Sequence, residues 1–420
     1  MCIYSLKNNQ LNASDYFYST YLKQKYNAVV FFNLVIPVIA RYDKRYIDHK
    51  ISIKMNNEPI STQQLKLTAE EKYREELQRL QDADTQRRPQ GWQLSAYAVR
   101  DFILGNEKLN VQKKFYGDDA LVDRALVTLM GNQGLMLVGE PGTAKSMLSE
   151  LFSAAISGNS QLTIQGTAGT TEDHIKYSWN YALLLSEGPS DKSLIPSPLF
   201  YAMKQGQIAR FEEITRCPPE IQDVLVSLMS EKQMMIPEMG QDFSLHAQQG
   251  FNLIATANLR DRGVHEMSAA LKRRFNFETV KPIKNRDFEI QLVQLQLKQQ
   301  IGDLYSELTV QPAVIELLVT IFNELRTGQS LQGANLKTPD AVMSTAEAVN
   351  IAHAASLQAI YLDDGVLKAQ HIAQQLIGVV FKDNPEDAKR LRYYLDSVVK
   401  ERARQDTDWK AFYDASRAFE

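Results

Sequence analysis

The feature that most limits what this chain can fold into is the stretch GEPGTAKS at positions 139–146. It approximates the phosphate-binding pattern G-x-x-x-x-G-K-[ST], with Ala144 standing where the pattern has its second glycine. Such a loop must leave a buried strand and enter a helix, because backbone N–H groups and the positive helix end have to face the phosphates. The apolar run LMLV precedes the stretch and SMLSELFSAAI follows it with helical spacing. The sequence therefore predicts a phosphate-binding loop.

The type of each loop residue predicts its contacts. Lys145 is placed to reach the β and γ phosphates, and Ser146 is placed to bind Mg²⁺. We expect Ala144 to have a negative φ with its N–H facing phosphate, because the left-handed region that glycine tolerates is costly for alanine. The residues predicted to contact nucleotide are Gly139, Glu140, Pro141, Gly142, Thr143, Ala144, Lys145, Ser146 and Met147.

Two later apolar runs end in polar groups that suit the same chemistry. QIARFEEI supplies Glu212 and Glu213, and LIATAN supplies Asn258. A phosphate loop needs one acid to hold the Mg²⁺ shell and another to polarise the attacking water, roles that we assign to Glu212 and Glu213. Asn258 is predicted to hold the same water or to sense the γ phosphate, although an asparagine at a strand end also serves turns. Ser146 and Glu212 are thus the predicted metal ligands.

The order of elements predicts the fold class. Further candidates for buried strands are LTIQG (162–166), QIARF (207–211) and FNLIATAN (251–258), and helical segments separate them. This alternation favours an α/β domain with a parallel sheet and crossover helices. Beyond about residue 284 amphipathic helices take over, with Asn285 as a helix cap.

The first 90 residues are interpreted as a separate N-terminal region. Thr68-x-x-Glu71 is a capping box that opens a helix, and Glu75 and Arg79 are spaced for an i,i+4 ion pair. The stretch DADTQRRPQG (82–91) is typical of a linker. A new domain is therefore expected to begin near residue 91.

Composition limits the compartment and the partners. A chain of 420 residues is expected to form two or three domains, and a net charge of −3 produces no general attraction to nucleic acid or an anionic membrane. The longest apolar run (28–40) is shorter than the roughly 20 residues that span a bilayer, and we expect it to be a buried strand or helix. Cys2 and Cys217 form no disulfide framework, which favours a cytoplasmic protein.

Four stretches in this order resemble the AAA+ ATPases and are most similar to the MoxR family: GEPGTAKS, EITRCPPEIQDVLVSLMSE, NLIATAN and ALKRRF. The resemblance covers about residues 113 to 350. It implies a P-loop AAA+ parallel-sheet αβα domain followed by an α-helical lid, with ATP and Mg²⁺ bound between neighbours in a hexameric ring. The predicted domains are an N-terminal region (1–90), the nucleotide-binding domain (91–284), the lid (285–380) and a C-terminal helical extension (381–420).

The same resemblance assigns further residues. Arg274 is the first candidate and Arg273 the second for the arginine that a neighbouring subunit presents to the transferring phosphoryl group, unless the two are a solvated basic pair. Three positions depart from the family: Glu212 replaces an aspartate, Arg210 interrupts an apolar run, and Asp340 stands at the expected lid arginine. An acid facing triphosphate would be repulsive, and Lys337 is a candidate to replace the lost contact.

The resemblance implies an ATP-driven, chaperone-like motor that remodels or matures a partner, often one with a von Willebrand A domain. A nucleotide-gated scaffold with little hydrolysis is an alternative, motivated by Glu212 and Asp340. A GTP- or ATP-dependent motor of a restriction or defence system is another, because TANLRDRGVHEMSAALKRRFNFE resembles such motors. The acidic net charge and the lack of a base-reading module argue against nucleic acid.

Overall fold

The computed structural model describes residues 66–240, 243–258, 263–340, 343–380 and 384–417. Cys2 and the apolar run at 28–40 lie outside the described residues. None of the helices within these ranges is long and apolar enough to cross a membrane. The strands are β1 Gly134–Val138, β2 Thr163–Gln165, β3 Tyr177–Trp179, β4 Leu194–Pro196, β5 Ile208–Glu212, β6 Gln233–Met235, β7 Ser244–His246, β8 Asn252–Ala257, β9 Phe275–Thr279, β10 Thr309–Val310 and β11 Val366–Leu367.

The helices form two sets along the chain: one before the last strand of the central sheet, and one after it. The first set is α1 Ala69–Lys72, α2 Arg74–Ala83, α3 Ala96–Leu104, α4 Asp119–Met130, α5 Lys145–Ser157, α6 Glu172–Ile175, α7 Tyr181–Glu187, α8 Pro198–Gln205, α9 Pro219–Glu231 and α10 Ala269–Lys272. The second set is α11 Arg286–Ile301, α12 Pro312–Thr327, α13 Thr345–Leu362, α14 Ala369–Val380, α15 Pro385–Tyr394, α16 Lys400–Arg402 and α17 Thr407–Ser416.

The central sheet has five parallel strands in the order β2-β5-β8-β1-β9. Strands β1, β5 and β8 are buried along their whole length, which is why their sequences are nearly continuous apolar runs. Side chains alternate between two cores: Leu135 and Leu137 pack on the α5 side, whereas Met136 and Val138 pack on the α8 and α9 side. The predicted α/β class with a parallel sheet is confirmed.

Helices α1 and α2 pack onto the nucleotide-binding domain. The predicted capping box is confirmed: the Glu71 N–H donates to Thr68 Oγ1 (3.3 Å), and the Thr68 N–H donates to Glu71 Oε2 (3.0 Å). Leu80 is buried in the same core as α3 and α5, and the compact unit begins at Leu67. Residues 69–83 therefore belong with this domain, because their apolar stripe is covered by it.

The second set of helices forms one helical domain, which we call the lid. Its core joins residues of α11 to α14 with Leu391, Tyr394 and Phe412 from the later helices. The buried carboxylate of Glu324 accepts hydrogen bonds from Tyr394 Oη (2.6 Å) and from both terminal nitrogens of Arg402 (3.0 and 2.6 Å). The segment after residue 381 thus completes the lid core.

Candidate functional site

The loop between β1 and α5, residues 139–144, is closed around Lys145. The buried Lys145 Nζ donates to the carbonyl oxygens of Gly139 (3.1 Å) and Glu140 (2.8 Å), and Thr143 Oγ1 donates to the Glu140 carbonyl (2.8 Å). Burial lowers the pKa of Lys145 and outweighs the nearby carboxylates, which act in the opposite direction. The ammonium group is therefore held by neutral carbonyls that a phosphate could replace.

Ala144 has a backbone conformation that differs from the prediction. Its φ is +67° and its ψ is 23°, in the left-handed region, so the expected negative φ is wrong. The cause is the entry into α5: the Ala144 carbonyl already accepts the Leu148 N–H (2.9 Å), and the loop must turn sharply to start that helix. A left-handed alanine costs about 1 to 2 kcal/mol, and such strain often lies at functional sites.

Replacing Ala144 with glycine is expected to raise the free energy of unfolding by up to about 1 kcal/mol, because glycine adopts a positive φ without a steric penalty. The matched control is Ala388→Gly in α15, which should cost about 1 kcal/mol because its helical φ suits alanine. Thermal unfolding of the full chain would measure both. A loss of stability in Ala144→Gly equal to that of the control would contradict the left-handed assignment.

At the end of β5, the carboxylate of Glu212 accepts four hydrogen bonds. Ser146 Oγ (2.6 Å) and Thr256 Oγ1 (2.7 Å) donate to Oε2, while Ser149 Oγ (2.7 Å) and Arg210 Nη2 (2.8 Å) donate to Oε1. Burial favours the neutral acid, but the Ser146 bond, the Arg210 charge and the other hydroxyls hold the pKa of Glu212 below its usual value. The two predicted metal ligands, Ser146 and Glu212, are thus in direct contact.

The neighbouring Glu213 and the strand-end Asn258 also lie together. Asn258 Nδ2 donates to Glu213 Oε1 (2.8 Å), and Arg216 Nε lies 3.3 Å from Glu213 Oε2. The φ of Glu213 is +56°, a left-handed conformation of the kind that often lies at functional sites. The buried Asn258 Oδ1 has no hydrogen-bond partner among the described residues, so this acceptor is suited to a bound donor.

A cavity of about 440 Å³ opens between the loop and the lid. Every residue predicted to contact nucleotide lines it except Gly139, whose carbonyl instead holds Lys145, and Glu213 and Asn258 line it too. Glu212 lies behind Ser146 and does not line it. The predicted site residues from three neighbouring strands therefore meet at one edge of the sheet, where parallel strands commonly bind ligands.

Four apolar residues that line the cavity are not indicated by the sequence motifs. Phe115 and Tyr116, which precede α4, line it together with Ile283, which precedes the lid, and Leu292 of α11. Tyr116 also packs against Phe288 with ring centroids 5.1 Å apart. An aromatic pair just before the helix cap Asp118 is the sequence signal for this wall. A cavity with both polar and apolar lining suits a nucleotide, with its phosphates on the loop.

Asp340 is not placed as its sequence position suggested. Its carboxylate accepts hydrogen bonds from Arg390 (2.8 Å) and Asn384 (3.1 Å), and neither Asp340 nor Lys337 is among the described residues lining the cavity. The expectation that Asp340 faces triphosphate is wrong. The helix that reaches the cavity begins later, at the capping box of Ser344.

The lid touches the phosphate loop through the start of α13. A Cβ on Gly142 would lie 2.3 Å from Ser344 Oγ, so glycine is required there. Arg326, which no sequence motif indicates, also lines the cavity. Both its terminal nitrogens donate to the fully buried Glu289 (3.1 and 2.6 Å), a pair formed by residues on different helices.

Arg273 and Arg274 lie at the opposite edge of the sheet from the phosphate loop. They precede β9, whose first residue, Phe275, pairs with Gly134 at the beginning of β1. Arg274 Nε donates to Ser230 Oγ (2.9 Å) and Arg273 is exposed. Since the loop follows the other end of β1, roughly 13 Å along the strand, neither arginine is placed to reach the phosphates of its own chain.

Comparison with known proteins agrees with this geometry. Residues 134–275 match the AAA domain of the dynein-related subfamily, and residues 287–420 match the C-terminal domain of YehL-like AAA+ ATPases. The chain is 48% identical over 344 residues to YehL of Escherichia coli strain K12, covering 82% of this chain and 94% of that protein.

Two more distant similarities were also found. The chaperone MoxR1 of Mycobacterium tuberculosis is 27% identical over 169 residues, which are 40% of this chain and 41% of that one. The crystal structure of NtrX from Brucella abortus superposes with a TM-score of 0.44 and 13% identity, covering 72% of this chain and 64% of that one. The predicted similarity to MoxR-type AAA+ proteins is confirmed. With matched sequence over most of its length, the chain belongs to the YehL-like AAA+ ATPases.

Proposed function

We propose that this chain hydrolyses ATP with Mg²⁺ and uses the energy to remodel or mature a partner protein. The observation that carries the proposal is the meeting of Lys145, the Ser146 and Glu212 pair, and the Glu213 and Asn258 pair beside one cavity. Phosphoryl transfer depends mainly on positioning and electrostatic stabilisation, and these groups supply both.

The donor set fits Mg²⁺. A hydroxyl and a carboxylate 2.6 Å apart are hard oxygen ligands, and Mg²⁺ in nucleotide sites commonly takes one or two protein groups plus phosphate oxygens and water. The described part of the chain contains no cluster of three or more His, Cys, Asp or Glu that could hold a metal by itself. Ser146 and Glu212 would hold the ion, which when bound would neutralise charge on the phosphates.

The remaining groups have separable tasks. The Lys145 ammonium would exchange the carbonyls of Gly139 and Glu140 for phosphate oxygens, a stronger charge-assisted contact. The Glu213 carboxylate would accept a hydrogen bond from the attacking water. Asn258 fixes Oε1 of that carboxylate, leaving its own Oδ1 to orient a donor. Water activation is thus assigned to Glu213, and positioning to Asn258.

The arginines support a proposal about assembly. Because Arg274 and Arg273 lie away from their own phosphate loop, we assign them to the site of a neighbouring subunit in a homo-oligomer, with a hexameric ring as the expected form. Similarity to a chaperone supports a remodelling role, and a protein with a von Willebrand A domain is the proposed partner.

Mixing two inactive variants tests the shared site. Arg274→Ala is expected to lower ATP turnover about 1,000-fold or more, and Glu213→Gln is expected to be similarly inactive. Mixed oligomers contain sites with an intact Glu213 from one chain and an intact Arg274 from the next, so phosphate release should rise well above the sum of the separate proteins. Arg404→Ala, which removes an exposed arginine of the lid, is the control and should retain wild-type turnover.

The result that would contradict an arginine acting between subunits is a mixture that co-assembles by native mass spectrometry and stays at background. If Arg274→Ala alone retained turnover, the same mixing experiment with Arg273→Ala would test the second candidate.

A nucleotide-gated scaffold is the second candidate function. Two observations favour it: the Glu212 carboxylate already accepts four hydrogen bonds within the chain, and the cavity-lining Arg326 forms an ion pair with Glu289. Such a protein would assemble on binding ATP and hydrolyse it at a rate close to background. Comparing turnover with nucleotide-dependent assembly separates the two functions.

A further inference from the structure

A buried arginine lies directly behind the candidate metal site. Arg210 is in the centre of β5 and is 8% exposed, two residues before Glu212 and on the same face of the strand. An arginine carries five N–H donors, and all of them are satisfied here. Nε donates to Ser149 Oγ (2.9 Å), Nη1 to Ser160 O (2.9 Å) and Thr163 Oγ1 (3.3 Å), and Nη2 to Ser146 O (3.1 Å) and Glu212 Oε1 (2.8 Å).

The two carboxylate oxygens of Glu212 have different hydrogen-bond partners. Arg210 and Ser149 hold Oε1 on the side of the protein core. Oε2 is left with the hydroxyls of Ser146 and Thr256, and Ser146 is the residue that lines the cavity. An aspartate, one carbon shorter, could not keep the Arg210 contact and the Ser146 contact without a shift of the strand.

Arg210 also offsets the unfavourable free energy of burying the Glu212 carboxylate. A buried charge is strongly unfavourable unless it is paired and fully hydrogen-bonded, and removing one partner of such a pair leaves the other uncompensated. The arginine and the glutamate are therefore one unit: the longer acid is suited to this strand because the guanidinium is there to hold it.

We propose that Arg210 is a positioning residue for the metal site, which grips Oε1 of Glu212 so that Oε2 is presented to Ser146 and to the Mg²⁺ shell. The proposal deepens the proposed function and rests on it, since it concerns the same nucleotide site. In this proposal, Arg210 and Glu212 together perform the role that a single aspartate has in the family.

A double-mutant cycle in the full chain tests the coupling between Arg210 and Glu212. The variants are Arg210→Leu, Glu212→Asp and the combination, and the probe is a fluorescent ATP analogue whose binding is titrated with Mg²⁺. We expect Arg210→Leu to raise the Mg²⁺ concentration for half-maximal binding at least about tenfold, because an unheld and unpaired Glu212 no longer presents Oε2. The combination should return to within about threefold of wild type, since the shorter acid needs no arginine.

Two further variants separate positioning from folding. Arg210→Lys keeps the charge but lacks the fork of donors, so it should fold and still shift the Mg²⁺ midpoint, and it replaces Arg210→Leu if that variant fails to fold. Arg402→Leu breaks another arginine and glutamate pair, in which the partly buried Arg402 holds the buried Glu324 of the lid core. It should lower the unfolding temperature without moving the Mg²⁺ midpoint.

The proposal is overturned if the folded Arg210 variant has a Mg²⁺ midpoint within twofold of wild type, or if the combination is as impaired as the two single changes together. Its failure is distinct from failure of the proposed function. If only the Arg210 proposal fails, the wild-type chain still binds and hydrolyses ATP. If the proposed function fails, the wild-type chain binds no nucleotide or does not turn it over.

Discussion

Lys145→Ala is expected to weaken ATP binding about 100-fold or more. Removing one partner of a buried, hydrogen-bonded charge pair typically costs about 2 to 5 kcal/mol. The Lys145 ammonium is buried at the start of α5 and is held only by neutral carbonyls, so a triphosphate would gain its single strongest contact there. Titration with a fluorescent ATP analogue would measure the loss.

Lys298→Ala is the control for the loss of a lysine charge. Lys298 is on the exposed face of α11 beside the ring of Tyr305 and does not line the cavity, so its removal should leave ATP affinity unchanged. If Lys145→Ala bound ATP within threefold of wild type, the ammonium would be a structural support of the loop and the phosphates would lie elsewhere.

Glu213→Gln is expected to lower steady-state ATP hydrolysis by about 100- to 10,000-fold, the usual contribution of a positioned acid or base. The amide has the size of the carboxylate, so the fold and the left-handed turn at this position should be kept. ATP affinity should stay within a few-fold of wild type, because Glu213 is assigned to the water and not to the phosphates. Phosphate release and ATP binding, measured on the same preparation, check both parts.

The control for this change is Glu220→Gln in the first turn of α9, an exposed glutamate that does not line the cavity. Its turnover should equal that of wild type. An equal rate in Glu213→Gln would remove Glu213 from the chemistry, and a joint loss of binding and turnover would assign it to ATP binding.

Much of the sheet and of the polar edge could be predicted because each depends on short-range patterns. Buried parallel strands are continuous apolar runs, and the residues that follow them meet at one edge whatever the intervening helices do. The contact between Ser146 and Glu212 and that between Glu213 and Asn258 follow from this rule. The roles assigned to these residues stay predictions until they are tested.

The errors concern conformations and contacts that local patterns do not determine. Ala144 was expected to have a negative φ from its residue type, but the geometry of entering α5 outweighs that preference. Asp340 was assigned to the cavity from a family position, whereas the capping box of Ser344 and Glu347 starts the relevant helix farther along. That S-x-x-E signal was present in the sequence and would have corrected the register.

The contacts that no sequence motif indicates are between residues far apart in the chain. Arg326 and Glu289 are far apart in sequence, and neither has a neighbouring motif that indicates the other. Likewise, the apolar stripe of α2 predicts that the helix is covered, but it does not identify the covering surface, which is the core around α3 and α5. Such contacts need the assembled tertiary structure.

Phosphate release by the wild-type full chain, with ATP and Mg²⁺ at a protein concentration where it assembles, decides between a motor and a scaffold. The arrangement of Lys145, Ser146, Glu212 and Glu213 predicts saturable, Mg²⁺-dependent turnover that Glu213→Gln lacks. A chain that binds ATP and assembles with it, yet releases phosphate no faster than Glu213→Gln, would contradict the proposal that this protein is a working ATPase.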